Sequence, residues 1–143
     1  MQVKHILREK GREIISITSD ATLSEAARLL ARRRIGAVLV LGEDGSLAGI
    51  LSERDVVRAV SDESVAALAR PVSSFMTRDL TTCSEEDTVD GLMELMTNGR
   101  FRHVPVITEG RLVGIISIGD VVKTRIEETV REAISLREYI ATG

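Results

Sequence analysis

Two short segments of this chain carry side chains arranged for chemistry. Gly49-Ile-Leu-Ser52-Glu53-Arg54-Asp55 recurs further along as Gly114-Ile-Ile-Ser117-Ile118-Gly119-Asp120. A serine followed three residues later by an acid, at the start of a helix, is a capping arrangement. Its side chains satisfy backbone N–H groups that the first turn leaves without partners. The same spot suits an anion, because a strand end meets a helix start, where exposed N–H groups and the helix dipole favour phosphate. An aspartate one turn in can accept both hydrogens of a ribose diol, and a serine hydroxyl can donate to a phosphate oxygen. Arg54 inside the first segment and Arg102-His103 ahead of the second add positive charge. Together these groups match the polar inventory of a nucleotide. Thr22-Leu-Ser-Glu25 has a similar spacing, and capping accounts for it fully.

The elements that must position these groups are duplicated too, and a repeat of this kind sets the fold. Thr22-Leu-Ser-Glu-Ala-Ala-Arg-Leu-Leu30 corresponds to Thr88-Val-Asp-Gly-Leu-Met-Glu-Leu-Met96, and Val3-x-x-Ile6-Leu7 echoes Val72-x-x-Phe75-Met76. Leu23, Ala26, Ala27 and Leu30 follow the spacing of an amphipathic helix, and Val89, Leu92, Met93 and Met96 repeat it. Each helix is followed by hairpin grammar: strands at 37–41 and 47–51 in one copy, and at 103–107 and 112–116 in the other, each pair joined by a glycine-containing turn. A second helix begins in each copy around Asp55-Val-Val and Asp120-Val-Val, and a short extended stretch (14–18, 80–83) precedes the first helix.

The expected unit is strand, helix, strand, strand, helix, an α/β (α+β) arrangement. It divides the chain into a first repeat at 1–60, a joint at 61–71 with Pro71 and a helical piece at 65–69, a second repeat at 72–123, and a C-terminal helix at 124–143. Units this small bury only ~60% of their unfolded surface, so the two are expected to pack on each other. In the C-terminal helix, Val122, Ile126, Val130, Ala133, Arg137 and Ile140 trace a mostly apolar stripe, which suits either a dimer contact or a helix folded back on its own module.

Composition narrows the function. The 143 residues carry a net charge of −3, 43% apolar residues, one cysteine, and only Phe75, Phe101 and Tyr139 as aromatics. Nucleic acid is disfavoured, since the basic, aromatic-lined grooves that hold single strands are not available. Cys83 has no partner within the chain for a disulfide, and cysteine-based zinc is excluded. The early sequence is interrupted by charge every few residues, unlike a signal peptide. The longest apolar run, 35–41, is far short of the ~20 residues of a membrane span. A soluble, cytoplasmic protein is expected. Cys83 itself reads as a small buried apolar residue, His5 as surface, and the run Arg32-Arg33-Arg34 as a helix terminus that complements the dipole.

In its duplicated unit and the closing Gly-h-h-Ser-x-x-Asp, the chain resembles a tandem pair of CBS domains, the module named after cystathionine β-synthase. It is similar to the small stand-alone bacterial type from about Val3 to Lys123. The resemblance implies a pseudo-twofold Bateman module with clefts between the repeats. These would take AMP, ADP, ATP, NAD(H) or S-adenosylmethionine as a regulatory ligand, with no obligatory cofactor and no metal. It further implies that Asp55 and Asp120 hold ribose hydroxyls and that Ser52 and Ser117 contact phosphate or ribose. Ile17 and Thr18, with Thr82 and Cys83, would bracket adenine, and Gly36 and Ala37, with Arg102, His103, Val104 and Pro105, would form the opposite wall.

The copies differ. Glu53-Arg54 faces Ile118-Gly119, and Arg102-His103 faces Gly36-Ala37, which leaves open two unequal sites or one longer dinucleotide across both. The function expected is a non-enzymatic sensor that forms a homodimer and signals to a regulated protein partner. The alternatives are a structural dimerisation module without nucleotide and a nucleotide-hydrolysing enzyme. For the enzyme, no catalytic triad, paired catalytic carboxylates or Walker loop can be found in the sequence.

Overall fold

The computed structural model describes residues 1–142. In chain order its elements are α1 (Val3–Lys10), β1 (Ser16–Thr18), α2 (Leu23–Arg33), β2 (Ala37–Leu41), β3 (Leu47–Ser52) and α3 (Glu53–Glu63). Then come 3-10 turns at Ser64–Ala69 and Val72–Ser74, α4 (Val89–Gly99), β4 (His103–Thr108), β5 (Arg111–Ser117) and α5 (Ile118–Thr142). They sort into two compact units. One is the continuous stretch Ile14–Thr81; the other combines Met1–Glu13 with the chain from Thr82 onward.

In the continuous unit the sheet order is β1-β2-β3, with β1 parallel to β2 and β3 antiparallel to it. Helix α2 starts where its capping box predicts: Glu25 N donates to Thr22 Oγ1 at 3.1 Å and Thr22 N to the Glu25 carboxylate at 3.4 Å. Leu23, Ala26 and Leu30 on its inner face pack with Val38, Val40, Leu51, Val72 and Met76. Each large side chain buried this way contributes about 1.5–3 kcal/mol.

In the other unit β4 and β5 form an antiparallel pair. The strand expected at 80–83 is reduced to a single bridge, Cys83 to Val106, in which Cys83 N donates to Pro105 O at 3.0 Å and Ile107 N to Cys83 O at 2.8 Å. The reason lies in the side chains. Ile15 and Ile17 anchor β1 on its core, whereas 80–83 buries only the small Cys83. Val3, Ile6 and Leu7 of α1 join Val89, Leu92, Met96, Val104, Val106, Ile116 and Val121 in this second core.

The echo between 3–7 and 72–76 is a structural equivalence. Val3 N–Asp87 O, Lys4 N–Glu85 O and Val89 N–Met1 O, at 2.9, 3.0 and 2.9 Å, reappear as Val72 N–Ala21 O, Ser73 N–Ser19 O and Leu23 N–Arg70 O, at 2.7, 3.0 and 2.9 Å. Each unit is therefore closed by the same kind of segment, which lies before α4 in sequence by a whole repeat in one case and follows α3 in the other. The duplicated glycines sit under these segments. A Cβ on Gly49 would lie 2.7 Å from Thr77 O and 2.9 Å from Met76 Sδ, and one on Gly114 would lie 2.6 Å from Leu7 Cδ2.

Beyond this point the equivalence ends. Thr77 forms a two-bond bridge with Ile50 (Ile50 N–Thr77 O 3.0 Å, Thr77 N–Ile50 O 2.9 Å). Its counterpart remains helical to Lys10, whose Nζ reaches Ile115 O at 2.8 Å.

Helix α5 merges what the sequence divides at residue 124: a single helix runs through Thr142, with no glycine after Gly119 and no proline to stop it. The final residue of the expected helix, Gly143, lies outside the described residues. Val121 and Thr124 are buried, whereas Ile126, Val130, Ile134, Leu136, Tyr139 and Ile140 are exposed.

Candidate functional site

Both Ser-x-x-Asp segments form the same local structure. Helix α3 begins at Glu53, two residues ahead of the expected start, because Ser52 is its N-cap. Asp55 N donates to Ser52 Oγ at 3.3 Å, while Ser52 N and Ser52 Oγ donate to Asp55 Oδ2 at 2.9 and 3.1 Å. In α5, Asp120 N donates to Ser117 Oγ at 3.2 Å and Ser117 N to Asp120 Oδ2 at 2.9 Å. These reciprocal bonds fix each carboxylate at the mouth of a strand-to-helix junction.

Strand register brings some of the expected residues to these junctions. Ala37 pairs with Ser52 and Glu53 N donates to Gly36 O at 3.0 Å; likewise His103 pairs with Ser117 and Ile118 N donates to Arg102 O at 2.8 Å. Val104 and Pro105 follow inward along β4, both buried. Arg54 and Arg102 are exposed at the junctions and free to point into solvent.

The first-strand residues fall elsewhere. The parallel register sets Ile17 opposite Val40 and Thr18 opposite Leu41. Thr18 is thus four residues along β2 from Ala37, about 13 Å at ~3.3 Å per residue. Residues 14–15 lie nearer that end of β2, with Leu39 N donating to Ile15 O at 3.3 Å. Cys83 is similarly displaced to Val106, with Thr82 exposed beside it, about 10 Å from His103. Burial, followed by the charge of Asp87, pushes the Cys83 thiol up to about 12, which makes it inert.

The two junctions differ in electrostatics. Asp55 borders a cavity of about 290 Å³ with Arg58, Ser74 and Phe75 among its lining. Asp120 is held by Lys10 Nζ at 2.7 Å, with the two side chains 23% and 32% exposed respectively. Burial of the Asp120 carboxyl opposes its ionisation, but the Lys10 ammonium and the Ser117 N–H outweigh it and hold the group below the usual aspartate range. Sequence reasoning missed Lys10. No pattern within the repeat signals it, because the pair joins residues 110 positions apart in the chain. No group of three or more His, Cys, Asp or Glu that could hold a metal ion occurs among the described residues, and none of their helices is long and apolar enough to cross a membrane.

The duplicated junction has a counterpart among known proteins. The family model of the CBS domain matches residues 3–62 and again residues 72–127. The chain belongs to the CBS-domain family. It is a tandem CBS pair, or Bateman module, the first repeat running strand-helix-strand-strand-helix and the second following the same pattern with its opening strand reduced to the Cys83 bridge. The CBS domain-containing protein CBSX3, mitochondrial, of Arabidopsis thaliana is 33% identical over 149 residues, covering 99% of this chain and 72% of that protein. The CBS-domain containing protein ATU1752 from Agrobacterium tumefaciens superposes with a TM-score of 0.84 at 50% identity, covering 87% of this chain and 92% of that one. The CBS domain pair of protein MJ0100, solved in complex with 5′-methylthioadenosine and S-adenosyl-L-methionine, superposes with a TM-score of 0.79 at 26% identity, covering 90% and 98%.

Proposed function

We propose that this CBS pair is a non-enzymatic sensor of adenosyl ligands, drawn from AMP, ADP, ATP, NAD(H) and S-adenosylmethionine, that passes its ligand state to a protein partner. The observation that carries this reading is the duplicated junction, in which a capped carboxylate, a helix N-terminus and a nearby arginine supply what a ribose and a phosphate require. The adenosyl ligands of the related MJ0100 pair support it. Asp55 and Asp120 accept from ribose hydroxyls, Ser52 and Ser117 contact phosphate or ribose, and Gly36, Ala37, Arg102 and His103 border the ligand. Adenine is gripped by backbone groups and aliphatic side chains, as befits a chain with three aromatic residues. Signalling then follows from differential affinity: the ligand stabilises whichever arrangement binds it better.

A second reading, a dimerisation module, draws on the exposed apolar side chains of α5. The same experiment separates the two. A ligand at ~100 times its Kd adds ~2.7 kcal/mol, which raises the melting temperature of a chain this size by about 5–10 °C. A thermal-shift panel of the five ligand types should give such a rise in the native protein and none in Asp55→Ala/Asp120→Ala. A flat response of the native protein to every ligand would leave the dimerisation module standing.

A further inference from the structure

We infer that Lys10 is a latch on the second junction, so that the two ligand positions of this chain are unequal by construction. Asp55 stands ready for a ribose diol, and Asp120 becomes available only when the Lys10 ammonium is displaced. The inference rests on the reading of Asp55 and Asp120 as ribose acceptors.

Three observations carry it. Lys10 Nζ lies 2.7 Å from Asp120 Oδ2, the oxygen that also completes the Ser117 cap. The ammonium is held from a second side by Ile115 O at 2.8 Å, on the edge of β5. In the other unit the corresponding carbonyl, Ile50 O, is satisfied by Thr77 N, a backbone donor that carries no charge toward Asp55. The substitution of a lysine side chain for a backbone bridge is therefore what separates the junctions.

A diol arriving at Asp120 must compete with a charge-assisted bond that is already made. The competition is modest, because an ion pair of this exposure is weak, and that suits a position meant to fill at higher ligand concentration. Release of Lys10 also frees the end of α1, where Gly11 turns the chain at φ 91°. Ligand at Asp120 is thereby coupled to the segment that closes its unit.

The test is calorimetric titration of AMP, ATP and S-adenosylmethionine into five proteins: native, Asp55→Ala, Asp55→Ala/Lys10→Met, Asp120→Ala and Asp120→Ala/Lys10→Met. Asp55→Ala isolates the Asp120 junction. Adding Lys10→Met to it should tighten binding about 2- to 5-fold, the range expected from removing a partly exposed ion pair. The same change beside Asp120→Ala should produce no gain. Lys10→Gln replaces Lys10→Met if the latter fails to fold. Unchanged or weaker binding on loss of Lys10 overturns the latch, weaker binding marking Lys10 as a ligand contact instead. If the native protein binds none of the three, the ribose reading fails and the latch fails with it. Binding by the native protein without the gain overturns the latch alone.

Discussion

Gly49→Ala and Gly114→Ala make the same change at matched positions, yet the structure assigns them different costs. At Gly49 the new methyl meets a backbone oxygen, Thr77 O at 2.7 Å, as well as Met76 Sδ at 2.9 Å and Cγ at 3.1 Å. Thr77 O accepts one of the two bonds of the Ile50 bridge, so the segment must move away and weaken it. Overpacking of this kind costs about 1–3 kcal/mol, and a lost bridge bond about 0.5–1.5 more. Gly49→Ala should therefore cost about 2–4 kcal/mol. At Gly114 the methyl meets only side-chain carbons of Leu7, the nearest at 2.6 Å, and the cost is the overpacking alone, about 1–3 kcal/mol.

The discriminating measurement is rescue, read from urea midpoints at constant m-value. Leu7→Ala empties the space that the Gly114 methyl needs, so Gly114→Ala/Leu7→Ala should be more stable than the sum of the singles by at least about 1 kcal/mol. Met76→Ala leaves Thr77 O in place, so it should rescue Gly49→Ala far less. A Gly49→Ala protein within about 0.5 kcal/mol of the native one, or an equal rescue at both sites, would refute the backbone contact as the cause.

Two further outcomes follow from the titrating groups. The Asp120 carboxyl has a lowered folded-state pKa, so its pairing with Lys10 stabilises the fold above the ordinary aspartate value of ~3.9 and ceases to do so as pH falls through the folded value. Native protein should exceed Lys10→Met in stability by about 0.5–1 kcal/mol at neutral pH, and the gap should close in acid; a gap independent of pH in denaturant titrations contradicts the pairing. Cys83, with its thiol pushed up to about 12 and its side chain buried, should resist alkylation at pH 8 until the protein unfolds; labelling of the native protein at the rate of a free thiol would show that the burial is wrong.

What the sequence made legible was whatever repeats with a period. The inward faces of α2 and α4 follow from Leu23, Ala26 and Leu30 and from Val89, Leu92 and Met96, because helical spacing and burial are the same statement there. The caps at Ser52 and Ser117 were legible for the same reason, since both partners lie three residues apart. Strand register was not, because it depends on which residues of two distant segments meet. Ile17 and Thr18 look like neighbours of Ala37 until the parallel pairing sets Thr18 against Leu41. Nor was the role of Lys10 legible, since its ion pair joins residues 110 positions apart in the chain and only the folded structure brings them together.

The closing segments also set an order of events during synthesis. The unit Ile14–Thr81 is continuous, so it can complete its core as soon as it has left the ribosome. Val3, Ile6 and Leu7 emerge before it, but the side chains they pack against, from Cys83 to Val121, are made last. At ~5–20 residues per second, the nascent chain carries this apolar triplet without its partners for on the order of 10 s. During that time the triplet's nearest substitute is the site that Val72 and Met76 will occupy, because the two segments are built to the same pattern.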